Sequence, residues 1–433
     1  MLELTLNLPD TDLPRIIVIG AGFAGLTFAK KMGNTPYQVV VFDKNNFHQF
    51  QPLFYQVAMA GLEPSSISFP LRKTFQKAKN VFIRVAEVES VDTKKKLICT
   101  DQGNVNYDYL VIATGAVTNY FGNNKIRNNS YGLKSVGEAL QIRNQILTDF
   151  ERALQVPSYD ERQGLIDVVI VGGGPTGVEL AGSLAELKKY ILPKDYHELD
   201  AKEVDIYLIQ GGSRLLLGMD AKLGDAAKTY LEKMGVHVRC NTRVIDIENN
   251  IVKMKDGNEI LANKVIWAAG VTCNEMEGIN EENYQKGNRL KVNAYNQLTT
   301  DDCIFALGDA AYLSTEDFPQ GFPQIAQPAI QQAKNLVRNI KKHGLENRSK
   351  WKVFKYKNLG TMATVGRNKA VVELPRIKFK GFFAWSMWLV VHLYALIGVR
   401  NKLFVMINWL WNYITYDQSL RLIIRPKSSK KES

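Results

Sequence analysis

Disulfide and metal chemistry are the first things this chain of 433 residues does without. Its four cysteines, Cys99, Cys240, Cys273 and Cys303, stand singly. With no CxxC pair and no Cys/His cluster, an iron–sulfur cluster, a zinc site and a thioredoxin-type dithiol are excluded. Isolated thiols suit a reducing compartment. Met1–Pro14 has acidic residues but no basic start or long apolar core, so no secretory signal is expected there. Apolar runs are short as well. Phe382–Val399, at 18 residues, only just reaches the ~17–25 that a membrane span requires. Acidic residues thin out at the C-terminal end. From Lys334 to Ser433 there are 21 Lys/Arg against four Asp/Glu, whereas the preceding 333 residues are net acidic. So basic a region meets either nucleic acid or an anionic membrane. Its apolar runs and four of the six tryptophans (Trp385, Trp388, Trp409 and Trp411) favour the membrane and argue against nucleic acid.

What is present is organised around Ile16–Gly25, IIVIGAGFAG. Four β-branched residues predict a buried parallel strand. Gly20, Gly22 and Gly25 give GxGxxG, and Leu26–Lys31 continues as a helix. The first glycine allows the tight turn, the second a close approach of backbone to pyrophosphate, the third helix–strand contact. The helix start adds N–H groups and a partial positive charge. A second strand, Gln38–Phe42, ends in Asp43, 18 residues past Gly25, close to the ~20 expected for an acid that binds a ribose diol. Strand, glycines, helix, strand and acid in this order predict a dinucleotide site.

The unit recurs. Asp167–Val171 repeats the strand, and Gly172, Gly174 and Gly177 repeat the fingerprint 152 residues after Gly20. Internal duplication implies two dinucleotides: a resident FAD in the first fold and a visiting NAD(P)H in the second, their rings meeting for hydride transfer. The second copy's partner strand, Val204–Ile209, ends in Gln210 where an acid is usual. An amide can still bond the ribose diol but does not repel a 2′-phosphate, which Ser213 and Arg214 could receive, so NADPH is expected as a secondary donor. Between Leu133–Leu154, which has helical period, and the second fold, Val156–Gly164 is read as a linker. Strands Ile251–Lys255 and Lys264–Trp267 flank a hairpin turn at Asp256–Asn258. Phe47–Pro70 is read as lining the first nucleotide site. Tyr109–Gly115 and Ile304–Ala310 are strands ending in small-residue turns, ATG and GDA, which resemble the second and third signatures of two-dinucleotide flavoproteins. The fold class is therefore α/β, with two Rossmann-like dinucleotide-binding domains, the second inserted in the first, and a C-terminal amphipathic membrane-anchoring helical region. The expected bounds are 14–125 with 296–335 for FAD, 126–295 for NAD(P)H, and 336–433 for the quinone site and anchor.

Four segments carry a family resemblance: NNFHQFQPLFYQVA (Asn45–Ala58), VGGGPTGVELAGSLAE (Val171–Glu186), AQPAIQQ (Ala326–Gln332) and KFKGFFAWSMW (Lys378–Trp388). On these the chain resembles the type II, non-proton-pumping NADH:quinone oxidoreductases from Arg15 to Pro426. The resemblance implies non-covalent FAD at Gly20, Gly22, Phe23, Ala24, Gly25, Asp43, Lys44, Gln51, Pro52, Ala113, Thr114, Gly115, Gly308, Asp309 and Gln327. It implies NADH at Gly172, Gly174, Pro175, Thr176, Gly177, Glu179, Gln210, Ala269 and Gly270, and a quinone near Gln327, Gln331 and Lys378. Glu179, in the first turn of its helix, is implied as a proton relay to quinone. By residue chemistry alone it equally suits a carboxylate favouring a helix N-terminus. Gln327 and Gln331, four apart, share one helix face.

Asn401, just before the second apolar run Leu403–Ile414, and Asn408 and Asn412 within it form a polar stripe of helical period, which predicts a helix lying in the membrane interface with tryptophans at headgroup depth. The expected location is monotopic, on the cytoplasmic face of the cell membrane, attached to anionic lipid. A true span with His392 near its middle, or a homodimer interface, are the other readings of the apolar run. Two further functions stay open at this point. A sulfide:quinone oxidoreductase shares the architecture but needs cysteines beside the flavin, for which Cys303 stands alone. A nucleotide-sensing membrane protein would keep both folds but not the AQPAIQQ helix.

Overall fold

A computed structural model describes residues 6–417 and 420–424; the basic residues 425–431 lie outside them. In chain order the principal elements begin with β1 (Arg15–Ile19), α1 (Phe23–Met32), β2 (Gln38–Asp43), α2 (Phe54–Ala58), β3 (Val81–Val85), β4 (Tyr109–Ile112), α3 (Val136–Ala153) and α4 (Tyr159–Ile166). Then come β5 (Val168–Val171), α5 (Pro175–Tyr190), β6 (Ile206–Ile209), α6 (Ala221–Lys233), β7 (Val236–Arg239), β8 (Lys264–Trp267) and β9 (Ile304–Ala306). The chain closes with α7 (Ala326–His343), β10 (Thr361–Gly366), β11 (Lys369–Glu373), β12 (Lys378–Lys380), α8 (Phe382–Ala395) and α9 (Val399–Thr415).

The chain divides into two compact units, and their bounds differ from those read from sequence. Unit 1 comprises residues 1–49, 68–117 and 271–358; unit 2 comprises 50–67, 118–270 and 359–433. Residues 50–67 thus belong with the second nucleotide fold and the C-terminal layer, while 271–295 belong with the first fold.

Unit 1 holds a parallel sheet in the order β9-β4-β1-β2-β3. Strand order reverses beside β1, and such a switch point is where open α/β sheets bind ligands. Ile16–Ile19 and Val39–Phe42 have almost no exposed surface, as strands covered on both faces require. The glycines act as their spacing predicts. Gly20 has φ +95°, and a side chain there would strike the Ala113 carbonyl; one on Gly25 would strike the carbonyl of Gly20. Gly22 has open space instead. Helices α1 and α7 cross over the turn at Gly308, where Ala24 and Ala329 leave only enough room for a glycine.

Unit 2 repeats the plan with β7-β6-β5-β8, also parallel. Gly172, φ +116°, faces the Ala268 carbonyl, Gly177 abuts Gly172, and Gly174 is open. Two local expectations change here. Val156–Gly164 is not a linker: Tyr159–Ile166 is helical, opened by Ser158, whose side chain accepts from the Glu161 N–H at 3.5 Å. The hairpin turn at Asp256–Asn258 leads into Glu259–Leu261, which pairs with Ile251–Met254. Lys264–Trp267 lies parallel to β5 instead.

A three-stranded antiparallel sheet, β10-β11-β12, covers α5. The contact is close because Gly182 lets the backbone of Val365 lie where a side chain would otherwise stand. Helices α8 and α9 complete this layer. The apolar run that could have spanned a membrane is broken at Leu396–Gly398, where Gly398 has φ +79°. Among the described residues no helix is long and apolar enough to cross one.

Gly182→Ala should push β10 away from α5 and lower unfolding stability by about 1–3 kcal/mol, as overpacking does. Urea denaturation followed by tryptophan fluorescence measures it.

Candidate functional site

Each unit ends its second strand in a side chain that closes its own glycine turn. In unit 1, Asp43 Oδ2 accepts the Ala21 N–H at 2.7 Å and Oδ1 accepts that of Asn45 at 2.7 Å. Burial raises the carboxyl's pKa, and these two N–H groups pull it back. In unit 2, Gln210 Oε1 accepts the Gly173 N–H at 2.9 Å. Asp43 and Gln210 therefore occupy the same place in the two copies, and Gln210 keeps its amide N–H groups for a ligand. Arg214 does not play the part expected of it. Its guanidinium donates to the carbonyls of Leu215, Leu216 and Leu217, so it is committed to its own loop.

The residues of unit 1 fit a flavin nucleotide. Gly22 offers an open cradle, Gly115 has φ +72° with open space before it, and Asp43 stands at the strand end. A residue not singled out beforehand, His48, is 1% exposed, with Nδ1 2.8 Å from the Ala21 carbonyl and Nε2 without a hydrogen-bond partner. That carbonyl requires the proton on Nδ1. Burial disfavours the charged ring, so Nε2 presents a lone pair. Gln332, also overlooked, is buried and accepts the Gly308 N–H at 2.7 Å, which fixes the turn bearing Asp309. Ala113 is buried and Thr114 exposed; Lys44 is exposed. Gln51 and Pro52 belong to unit 2, where they open a short 3-10 turn. Gln327 and Gln331 lie on α7. Gln331 is tied by both amide atoms to the Lys357 backbone, each at 3.0 Å, and stands 3.5 Å from Gln327 Oε1.

Unit 2 contains a cavity of about 440 Å³ between α2, α5, β10, α8 and α9. Its lining is mainly apolar and aromatic, with Glu179 in its wall. Pro175 and Thr176 are exposed at the start of α5, whereas Glu179, one turn on, is 9% exposed. Its Oε1 accepts the Thr364 N–H at 3.3 Å and the Trp388 Nε1–H at 3.2 Å. Burial pushes the carboxyl up to about 8, and the two donors only partly offset it. At neutral pH the side chain therefore carries a proton. Trp388, 1% exposed, stacks on His392 with centroids 4.0 Å apart and meets Tyr55 edge-on. Burial lowers His392 to about 4, so it is neutral.

In the C-terminal layer two of the groups singled out in the sequence have partners within the protein. Lys378 is half-exposed on β12, bonded to Asp220 at 2.8 Å and close to Glu373 at 3.4 Å, and it is not among the residues lining the cavity. The asparagine stripe of α9 is helical, and two of its members bond to protein. Asn401 donates to the carbonyls of Ser65 and Ser66, and Asn412 to that of Gly61. Trp409 follows suit, donating to Gln56 Oε1 at 2.8 Å. With Trp388 buried, only Trp411 of the four tryptophans stands more than half exposed. The outer surface consists of Phe383, Val390, Tyr394, Ile407, Leu410 and Ile414, each 59–83% exposed.

Two duplicated nucleotide folds, the first fitted to a flavin, define a pyridine-nucleotide-dependent oxidoreductase. A family model described as pyridine nucleotide-disulphide oxidoreductase matches residues 14–333, and one described as the NDH2 C-terminal domain matches 358–415. Two type II NADH:quinone oxidoreductases of Mycobacterium tuberculosis, Ndh and NdhA, are 32% and 34% identical to this chain over 93% and 91% of its length and 88% and 86% of theirs. The fold matches that of NDH2 from Plasmodium falciparum, solved with NADH, at a TM-score of 0.86 and 21% identity, over 95% of this chain and 100% of that one. A sulfide:quinone oxidoreductase from Aquifex aeolicus matches less closely, at 0.70 and 20% identity over 95% and 96% of the two chains. The chain belongs to the type II NADH:quinone oxidoreductases, enzymes that oxidise NADH and reduce a quinone.

Trp388→Phe keeps a ring on His392 but removes the indole donor to Glu179. Losing a donor to the carboxylate raises its pKa further. The high-pH limb of quinone turnover, expected near pH 8 in the parent, should move to higher pH in kcat profiles.

Proposed function

We propose that this enzyme binds FAD non-covalently in unit 1, takes NADH on the glycine turn of unit 2, and receives the quinone in the cavity against Glu179. The observation that carries the last step is a protonated, buried carboxyl in an apolar cavity large enough for a ring and part of a tail. When bound, the flavin supplies a centre that takes a hydride and returns two electrons. The protein's own groups bind and orient. Gly22 and the N-terminus of α1 hold pyrophosphate, and Asp43 holds ribose. The N-terminal N–H groups of α7, which has no side-chain cap at Ile325, favour negative charge on a reduced ring. Glu179 holds a proton on Oε2, because both of its donors bind Oε1. The implied quinone role of Lys378 is not retained, since its ammonium is spent on Asp220 and Glu373.

The enzyme sits on the cytoplasmic membrane surface without pumping protons. Supporting this are the exposed apolar faces of α8 and α9, too large a patch for a surface meant to face water. Arg376, Lys380, Arg400 and Lys402 flank them and would each add up to ~1 kcal/mol against anionic lipid. NADH is the main donor. Gln210 does not repel a 2′-phosphate, and with Arg214 committed elsewhere NADPH is the poorer one.

The purified protein should show a flavin spectrum that NADH bleaches in stopped flow and a short-chain quinone restores. A colourless protein, or flavin that stays reduced in quinone, overturns the proposal. Gln210→Glu should keep the bond to Gly173 and lower kcat/KM for NADPH by about tenfold or more relative to NADH, through charge repulsion.

A further inference from the structure

At Tyr120–Asn123, in unit 2, the chain makes a turn that its sequence does not favour. The Asn123 N–H donates to the Tyr120 carbonyl at 3.0 Å, and the two residues between them, Phe121 and Gly122, have φ +53° and +76°. Two consecutive positive φ values are what a type I′ turn requires, and its usual sequence is Asn-Gly. Glycine fits its place. Phenylalanine does not, because a bulky side chain in the left-handed region is strained. Nor does burial compensate, since Phe121 is 68% exposed. Yet the turn is held firmly. Asn119 Oδ1 accepts the Phe121 N–H at 2.8 Å, and Trp267 Nε1 donates to the Asn119 carbonyl at 2.8 Å. The Asn119 N–H in turn donates to the Gly270 carbonyl at 3.2 Å.

The ring of Phe121 stands beside the second glycine turn. Gly270 has φ +109°, and a side chain there would come within 3.4 Å of Phe121 Cζ. Gly270 is itself exposed, so the tip of the ring and a bare stretch of backbone border the same space. The residues leading to Gly270 touch the turn, because a side chain on Gly172 would strike the Ala268 carbonyl and the Ala269 nitrogen. Sheet order β7-β6-β5-β8 then decides which half of a dinucleotide lies here. Gln210 ends β6, where the adenosine ribose is held, and the pyrophosphate lies at the turn after β5. The nicotinamide half therefore extends over the end of β8, on the side of Phe121 and Gly270.

We infer that Phe121 is a clamp for the nicotinamide ring of NADH, held out by its strained turn to pack against that ring over Gly270. The inference rests on the reading of unit 2 as the NADH site. A phenyl ring offers a large, rigid apolar surface to a flat aromatic partner, and backbone strain kept at an exposed residue is expected where it serves a site. Gly270 has to be bare, because a side chain there would stand where the two rings meet. The neighbouring Tyr120 does not compete for this role. Its ring lies 6.4 Å from that of Trp267 and carries the Arg127 guanidinium over it at 5.8 Å, so it is part of the support.

Phe121→Asn supplies the residue that the turn prefers and removes the ring. Its urea midpoint should lie above that of the parent. The NADH concentration that half-saturates flavin bleaching in stopped flow should rise about fivefold or more, as the loss of one aromatic contact predicts. Competition by ADP-ribose, which lacks the nicotinamide ring, should stay as in the parent, and Phe121→Tyr should keep the parental response to NADH. An unchanged NADH response in Phe121→Asn, or an equal weakening of ADP-ribose, overturns the clamp. So does a lower urea midpoint or a failure to fold, since the ring would then be structural. ADP-ribose also separates the two readings. If it does not compete with NADH in the parent, the reading of unit 2 fails and the clamp with it. If it competes there while Phe121→Asn leaves NADH binding unchanged, the clamp alone fails.

Discussion

A single carboxylate oxygen ties the C-terminal layer to the second nucleotide fold. Glu179 Oε1 takes its two hydrogen bonds from β10 and α8, elements that follow it by 185 and 209 residues. Without them Glu179 would be an acid in the first turn of a helix, stabilised by the positive end of its dipole and ionised. Covered by Trp388, Thr364 and Tyr55, it loses water, and the penalty for charge exceeds what two donors return. The covering layer converts a generic helix-start carboxylate into an acid that keeps its proton. It can do so because Gly182 has no side chain to hold β10 away.

The features legible in the sequence were those fixed by near neighbours. A glycine turn, its strand and its closing side chain lie within about forty residues, and each glycine answers a local demand: φ, a collision or an open cradle. Hence both copies emerge from pattern alone, down to Asp43 and Gln210. The cavity was not legible, since Glu179 and Trp388 meet only through tertiary structure. The signal that could have disclosed it was Glu179, Ser183 and Glu186 at helical spacing in VELAGSLAE, three polar groups among small and apolar ones. The partner of Lys378 was hidden for a similar reason. Asp220 is 158 residues away, and sequence cannot show a charge already spent.

The asparagines of α9 show what periodicity leaves open. A stripe at i, i+7 and i+11 establishes a face, but not what the face meets. In a helix on a soluble protein the polar side faces water. Here Asn401 and Asn412 bond the carbonyls of Gly61, Ser65 and Ser66, and the apolar side is turned out. The direction of the Asn401 and Asn412 amides and the exposure of the apolar side are two views of that one inversion.

The likeness in fold to a sulfide:quinone oxidoreductase shows how little the fold alone decides. Sulfur chemistry requires thiolates placed to attack. Here the Cys273 thiol donates to the Asp309 carbonyl at 3.1 Å, and Cys303 Sγ lies 3.3 Å from Lys96 Nζ. None of the four cysteines is in a disulfide. Electron entry must then be by hydride, for which a complete second nucleotide turn is present, and that turn would be superfluous in a sulfide oxidase. The helix that begins at the second glycine turn is also the helix that carries Glu179, so the turn and one wall of the apolar cavity belong to the same element.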